Sequence, residues 1–253
     1  MIEVENLTKS FGSTRAVNGI TFTVGDGEIY GLLGPNGSGK STTMKILAGI
    51  LKPTSGRVVV GGVDVAEDSL GVRRIVGYVP ETPVLYESLT PVEFFNFVGS
   101  VRGIPKEELQ ERVETLVRAF GIENYLGEMI GSLSFGTRQK VSLIAAMLHD
   151  PKVLILDEAM NGLDPKSARI LRELLLQFRE EGRSIVFSTH VLALAETICD
   201  RVGVIYNGEI IAEGTVEQLK EFAHEESLED VFLKLTESQD EVAGIVRALK
   251  DAL

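Results

Sequence analysis

The chain has 253 residues, 44% of them apolar, enough for one large core or one core with a smaller appended lobe. A formal net charge of −12 argues against nucleic acid as a main partner, because a phosphate backbone needs a basic footprint. One cysteine, Cys199, allows no internal disulfide, and neither a signal-peptide core nor an apolar run of bilayer length is visible, so a soluble cytosolic chain is expected.

The N-terminal part alternates β-like runs with turns: "IEVENL", "AVNGITFTV" and "EIYGLLG". A helix signal follows in "KSTTMKILAGI", closed by the Pro/Gly turn of "KPTSG". "RVVVGG" and "RIVGYVP" read as further strands. The stretch from about 83 to 148 changes character. "PVEFFNFVGSVRG" and "PKEELQERVETLVRAFG" read as helices with Pro near the start and Gly near the end. In the second, Leu109, Val113, Leu116, Val117 and Phe120 form one apolar stripe, the pattern of core packing. Helices without strands suggest a subdomain inserted into an α/β body. The α/β pattern resumes with the continuous apolar strand "KVLILDE", the helix "PKSARILRELLLQFREEG" and the buried strand "SIVFSTH". "RVGVIYNGEIIAEG" reads as a hairpin turning at Asn207-Gly208. From about 215 the chain reads as helical and acidic, with "LEDVFLKLTES" and "EVAGIVRALKDAL" as small docking helices.

Chemistry concentrates at a few places. "GPNGSGKST" at 34–42 fits the phosphate-loop pattern through Gly34, Gly39, Lys40 and Ser41, with a strand before it and a helix after it. Glycines let backbone N–H groups turn inward on phosphate oxygens, and the helix N-terminus adds the positive end of its dipole. Lys40 is expected to reach the β- and γ-phosphates and Ser41 to hold Mg²⁺. Asp157 and Glu158 end a buried strand: the first suits Mg²⁺, the second a base that polarises water, its side chain pointing elsewhere because neighbours on a strand face opposite ways. Taken alone these acids read as an ordinary N-cap for the next helix, and the phosphate loop is what turns the reading to function. His190 ends another strand of the same kind, where ligands bind in α/β sheets, and is assigned to the γ-phosphate. "LSFGT" at 133–137 precedes the helix signal "RQKVSLIAAMLHD", so Ser134 and Gly136 either offer a hydroxyl and an N–H to an anion or simply cap that helix.

The set "GPNGSGKST" (34–42), "LSFGT" (133–137), "VLILDE" (153–158), "NGLD" (161–164) and "STH" (188–190), in this order, resembles the nucleotide-binding subunits of ABC transporters. The resemblance runs from about residue 2 to residue 220. It implies a RecA-like P-loop NTPase core of α/β class, an N-terminal antiparallel β subdomain and an inserted helical subdomain at about 83–148. Residues 1–220 would form one ATPase domain and 221–253 a short acidic helical extension. It implies ATP and Mg²⁺ as cofactors. ATP would be held by Phe11, Val17, Asn36, Gly37, Ser38, Gly39, Lys40, Ser41 and Thr42, and the metal by Ser41, Glu81 and Asp157. Glu158, His190 and Lys40 would be catalytic. Phe11 corresponds to the aromatic residue that stacks on adenine, a core position being the plainer alternative. Ser134 and Gly136 would close over the nucleotide of a second ATPase subunit, with Asp164 linking the two sites. A separately encoded transmembrane permease completes the implied assembly, placing the chain on the cytoplasmic face of the membrane.

The chain departs from the family pattern at Glu81, where Gln is usual, at Phe135 and Thr137, where Gly and Gln are usual, and at Ala159-Met160, where Pro-Thr is usual. The "GYVPE" form looks like the branch that serves drug, antibiotic, sodium or polysaccharide exporters. A non-transport ATPase of the same family, acting on ribosomes or DNA, is the alternative. The single cassette, the absence of a heptad run and the acidic balance weigh against it.

Overall fold

The structure is a computed structural model, and it describes residues 1–236. In chain order it contains β1 (Ile2–Phe11), β2 (Thr14–Val24), β3 (Ile29–Leu33), α1 (Lys40–Leu47), β4 (Ser55–Val60), β5 (Val63–Asp64), α2 (Ser69–Ile75), β6 (Val76–Val79), α3 (Pro91–Arg102), α4 (Lys106–Phe120), α5 (Phe135–Met147), β7 (Val153–Asp157), α6 (Pro165–Glu180), β8 (Ser184–Thr189), α7 (Leu192–Ile198), β9 (Arg201–Tyr206), β10 (Glu209–Gly214), α8 (Val216–Ala223) and α9 (Leu228–Leu235).

The strands form two sheets. One is antiparallel, in the order β2-β1-β4-β5. The other has the order β10-β9-β3-β8-β7-β6, parallel throughout except for β10 at its edge. This is the expected α/β class, with an antiparallel β unit near the N-terminus.

Side-chain alternation divides the core. Tyr30, Leu32, Val153, Ile155 and Val186 pack with the antiparallel sheet and α1. Ile29, Leu154, Leu156, Ile185 and Phe187, on the opposite face, pack with α3, α4, α5 and α6. Both faces of β3, β7 and β8 are therefore buried, which is why these strands read as unbroken apolar runs. The stripe on α4 joins the second core through Leu109, Val117 and Phe120, with Val113 and Leu116 packed against it. A third, smaller core seats α8 and α9 on Leu33 and Val202.

Helix ends follow local chemistry. Thr90 and Glu93 make a reciprocal capping box at α3, and Gly103 closes that helix in the left-handed conformation. Two departures from the sequence reading have the same kind of cause. "RIVGYVP" is not all strand: Asp68 caps α2 by accepting from Gly71 N at 2.8 Å, so Arg74 and Ile75 are helical and the strand begins at Val76. α5 starts at Phe135 rather than Arg138, because Ser134 serves as its N-cap. α7 carries no side-chain cap and was not visible as a helix in the sequence. The expected helix at 241–253 lies outside the described residues.

Candidate active site

Three parallel strands, β3, β8 and β7, lie side by side and deliver their C-terminal ends to one place. Leu33 pairs with Thr189 and Asp157 with Ser188, so the loop after β3, the acid at the end of β7 and His190 after β8 converge.

The loop after β3 is closely fitted. A Cβ on Gly34 would lie 2.3 Å from the Ile205 carbonyl oxygen and 2.6 Å from Ser38 Oγ. Gly39 has φ 109° and a Cβ there would lie 2.5 Å from the Ala16 carbonyl oxygen. At both positions only glycine lets the chain turn. Thr43 N donates to Gly39 O at 2.9 Å and opens α1, whose N-terminus faces the loop. Lys40 is buried, with Nζ donating to Gly34 O at 2.7 Å and Pro35 O at 3.1 Å. Burial pushes its amine down from the usual value, while the carboxylates of Glu158, Asp157 and Glu81 push back. Burial first, then the carboxylates of Asp157 and Glu81, raise the hydroxyl of Tyr78 on β6.

These groups bound a cavity of ≈ 490 Å³ lined by Phe11, Ala16, Asn36, Gly37, Gly39, Lys40, Ser41, Thr42, Glu81 and Glu158. Phe11 is half exposed at its wall, with Lys9 Nζ 5.1 Å from the ring centre, so it is not a core aromatic. Val17 is wholly buried against Gly39, and Ala16 provides the wall in its place. Alternation along β2 turns Val17 into the core that its neighbour avoids. Ser38 is buried, and its hydroxyl has no hydrogen-bond partner.

Asp157 is 1% exposed and accepts from Ser188 Oγ at 2.7 Å. Glu158 diverges from it for a reason other than strand alternation. β7 ends at Asp157, and Glu158 takes φ 51°, starting a turn closed by Asn161 N donating to Glu158 O at 3.0 Å. Its N–H donates to Ser188 Oγ at 3.0 Å. One carboxylate oxygen, Oε2, lies 2.8 Å from His190 Nδ1 and 3.3 Å from His190 N; the other, Oε1, is buried without a partner. A carboxylate acceptor requires the proton on Nδ1 of His190.

The second loop is built differently. Ser134 Oγ accepts from Thr137 N at 3.2 Å and caps α5. Gly136 lies so close to Gly162 that a Cβ would meet the Gly162 carbonyl oxygen at 2.4 Å, and the Phe135 ring would meet one on Gly162 at 2.5 Å. Asp164 caps α6 through Ser167 N at 3.0 Å and Ser167 Oγ at 2.7 Å, and pairs with Lys140 at 2.6 Å. Lys140 first and Ser167 second hold its carboxyl well below the usual range. None of Ser134, Gly136 and Asp164 lines the ≈ 490 Å³ cavity.

The donor set suits a nucleoside triphosphate. The glycine-rich turn at a helix N-terminus, the buried Lys40 and the exposed ring of Phe11 match phosphates at one end and a planar base at the other. Among the described residues no group of three or more His, Cys, Asp or Glu side chains forms a metal cage. The Ser41 hydroxyl and the carboxylates of Asp157 and Glu81 are the side chains here that could hold a cation carried on phosphate oxygens. Three contributors escaped the sequence reading: Ala16, Ser188 and Gln139. Ser188 stood within "STH", and Gln139 stood four residues before Leu143 on the buried side of α5.

Fold and site together define a P-loop nucleoside triphosphatase. The ABC transporter family profile matches residues 17–161. The chain is 37% identical over 238 residues to the ABC-type transporter ATP-binding protein EcsA of Bacillus subtilis, covering 93% of this chain and 96% of that protein. It is 35% identical over 215 residues to the linearmycin resistance ATP-binding protein LnrL of the same organism, covering 85% of this chain and 69% of that one. Its fold matches the dimeric structure of a post-hydrolysis state of the ATP-binding cassette MJ0796 bound to ADP and Pi, with TM-score 0.79 and 25% identity, covering 85% of this chain and 98% of that one. The chain belongs to the ABC transporter family as an ATP-binding subunit, and it is an ATPase.

Proposed function

We propose that two ATPase subunits, either two copies of this chain or this chain and a relative, sandwich ATP between them and drive a separately encoded membrane permease that works as an exporter. The observation that carries this reading is the split between the two loops: the phosphate cradle has its own cavity, and Ser134 and Gly136 do not line it. A hydroxyl and an N–H at the exposed start of α5 suit the γ-phosphate held by a facing subunit. The dimeric form of the MJ0796 cassette supports this arrangement.

In this reading the backbone of residues 36–42 and Lys40 hold the phosphates, and Phe11 stacks on the base. Ser41, Asp157 and Glu81 would hold Mg²⁺, which neutralises charge on the β- and γ-phosphates when bound. Glu158 takes a proton from the attacking water through its unpartnered oxygen, while His190 fixes the other oxygen and presents its own ring to the γ-phosphate. Asp164 acts across the pair from the N-terminus of α6, which it caps.

The permease side has its own support. No helix among the described residues is long and apolar enough to cross a membrane. An apolar groove of ≈ 550 Å³ runs between α3, α5 and β6, lined among others by the exposed Ile50, Val84, Phe97 and Val101. It reaches Tyr78 and Pro80, next to Glu81. A short helix of the permease seated there, on the cytoplasmic face, would press directly on a metal ligand. Export is supported by the Glu81 form of the sequence and by the resistance function in the name of LnrL.

The test is Glu158→Gln. Turnover should fall about a hundredfold or more while ATP remains bound. Light scattering with ATP and Mg²⁺ should then report a dimer, and without ATP a monomer. Brisk steady turnover by the variant would overturn the assignment of the base. A mass unchanged by ATP, both alone and with the co-expressed permease, would overturn the sandwich.

A further inference from the structure

Gln139 occupies a place where an apolar residue would be the default. It lies on α5 beside the buried Val141, Ser142 and Leu143, and it is wholly shielded from solvent. Its Nε2 donates to the Ala159 carbonyl oxygen at 3.1 Å. Because a carbonyl only accepts, this bond sets which way the amide is turned. The amide oxygen is then left buried without a partner. A half-satisfied buried amide is retained only where its one bond matters.

That bond falls on the residue after Glu158. Glu158 sits in the left-handed region, which a long side chain rarely adopts unless its surroundings impose it. From the β8 side, Ser188 holds the Glu158 N–H and His190 holds the carboxylate. From the α5 side, Gln139 holds the next carbonyl. Phe135 on Gly162 and Lys140 on Asp164 extend the same grip along the segment that follows. The turn that aims Glu158 is thus clasped between β8 and the helix that begins at Ser134.

We infer that Gln139 is a positioning residue for Glu158: its amide maintains the left-handed turn and fastens the base to the helix whose N-terminus serves the neighbouring subunit. The inference rests on the role of Glu158 proposed above.

Gln139→Met removes the donor at similar volume, and Gln139→Leu removes it with a second apolar side chain. Both should lower kcat about ten- to hundredfold, the effect of misplacing a catalytic group by about an ångström. KM for ATP, the affinity for ATP and the melting temperature should stay near their original values. In the Glu158→Gln background, Gln139→Met should lower the residual rate no further, since a group that acts only through Glu158 has nothing left to position. Three results would overturn the inference: an original kcat in either folded variant, a loss that multiplies that of Glu158→Gln, or kcat, KM and melting temperature falling together. If Gln139→Met does not fold, Gln139→Leu is read by the same criteria. Full turnover in Glu158→Gln alone would remove the base itself; a dead Glu158→Gln with unaffected Gln139 variants would remove only this inference.

Discussion

The loops at 34–42 and 133–137 both contain glycine and both sit at helix N-termini, yet they are built to opposite designs. The loop at 34–42 is enclosed: Gly34 and Gly39 pass within contact of the Ile205 and Ala16 carbonyls, Lys40 is buried, and the loop walls its own cavity. The loop at 133–137 is open: Ser134 and Phe135 are exposed, and neither Ser134 nor Gly136 lines that cavity. The first is tied to the sheet by backbone packing. The second is tied by side chains to 159–164, through Phe135, Gln139 and Lys140. A helix N-terminus alone therefore does not say whose ligand it serves; the surrounding enclosure does.

Lys40 separates the two loops most sharply. Lys40→Ala removes the one buried cation of the enclosed loop, and hydrolysis should fall about 100- to 1,000-fold, with weaker ATP binding by the isolated chain. Steady-state turnover and equilibrium binding measure the two losses. A near-normal rate would mean that phosphate is held elsewhere.

Ser134→Arg tests the open loop. Hydrolysis and ATP-driven dimerisation should be lost, while ATP binding by the monomeric chain stays unchanged. Calorimetric titration of the monomer decides the matter: a loss of binding equal to the loss of rate would make the second loop part of the chain's own site and erase the contrast.

Phe11→Ala should have the smallest effect. Loss of one stacked ring weakens ATP binding by ~1 kcal/mol, about fivefold, and leaves kcat unchanged. Phe11→Tyr should restore the affinity. An unchanged affinity in Phe11→Ala would leave the exposed ring without a role in the site.

Much of this was legible in the sequence because it depends on neighbours in the chain. The phosphate-loop spacing, the unbroken apolar runs of β7 and β8, and the Pro and Gly punctuation of α3 and α4 are local patterns with local causes. The start of α5 and the extent of α2 were less legible, since each turned on a single capping side chain, Ser134 or Asp68, rather than on periodicity. Val17 and Ala16 show the limit of a pattern match: adjacent residues on one strand face opposite ways, and the sheet's packing decides which of them meets the cavity.

By itself, then, the sequence determined the α/β class and placed a glycine-rich loop before α1 and two acids at the end of β7, because strand, turn and helix signals act over a few residues. Only the tertiary structure decided that Glu158 leaves its strand in a left-handed turn, that His190 meets it at 2.8 Å, and that Gln139 reaches across from α5 to the next carbonyl. Those contacts join residues far apart in the chain, and their geometry depends on how β7, β8 and α5 pack, which no local pattern encodes.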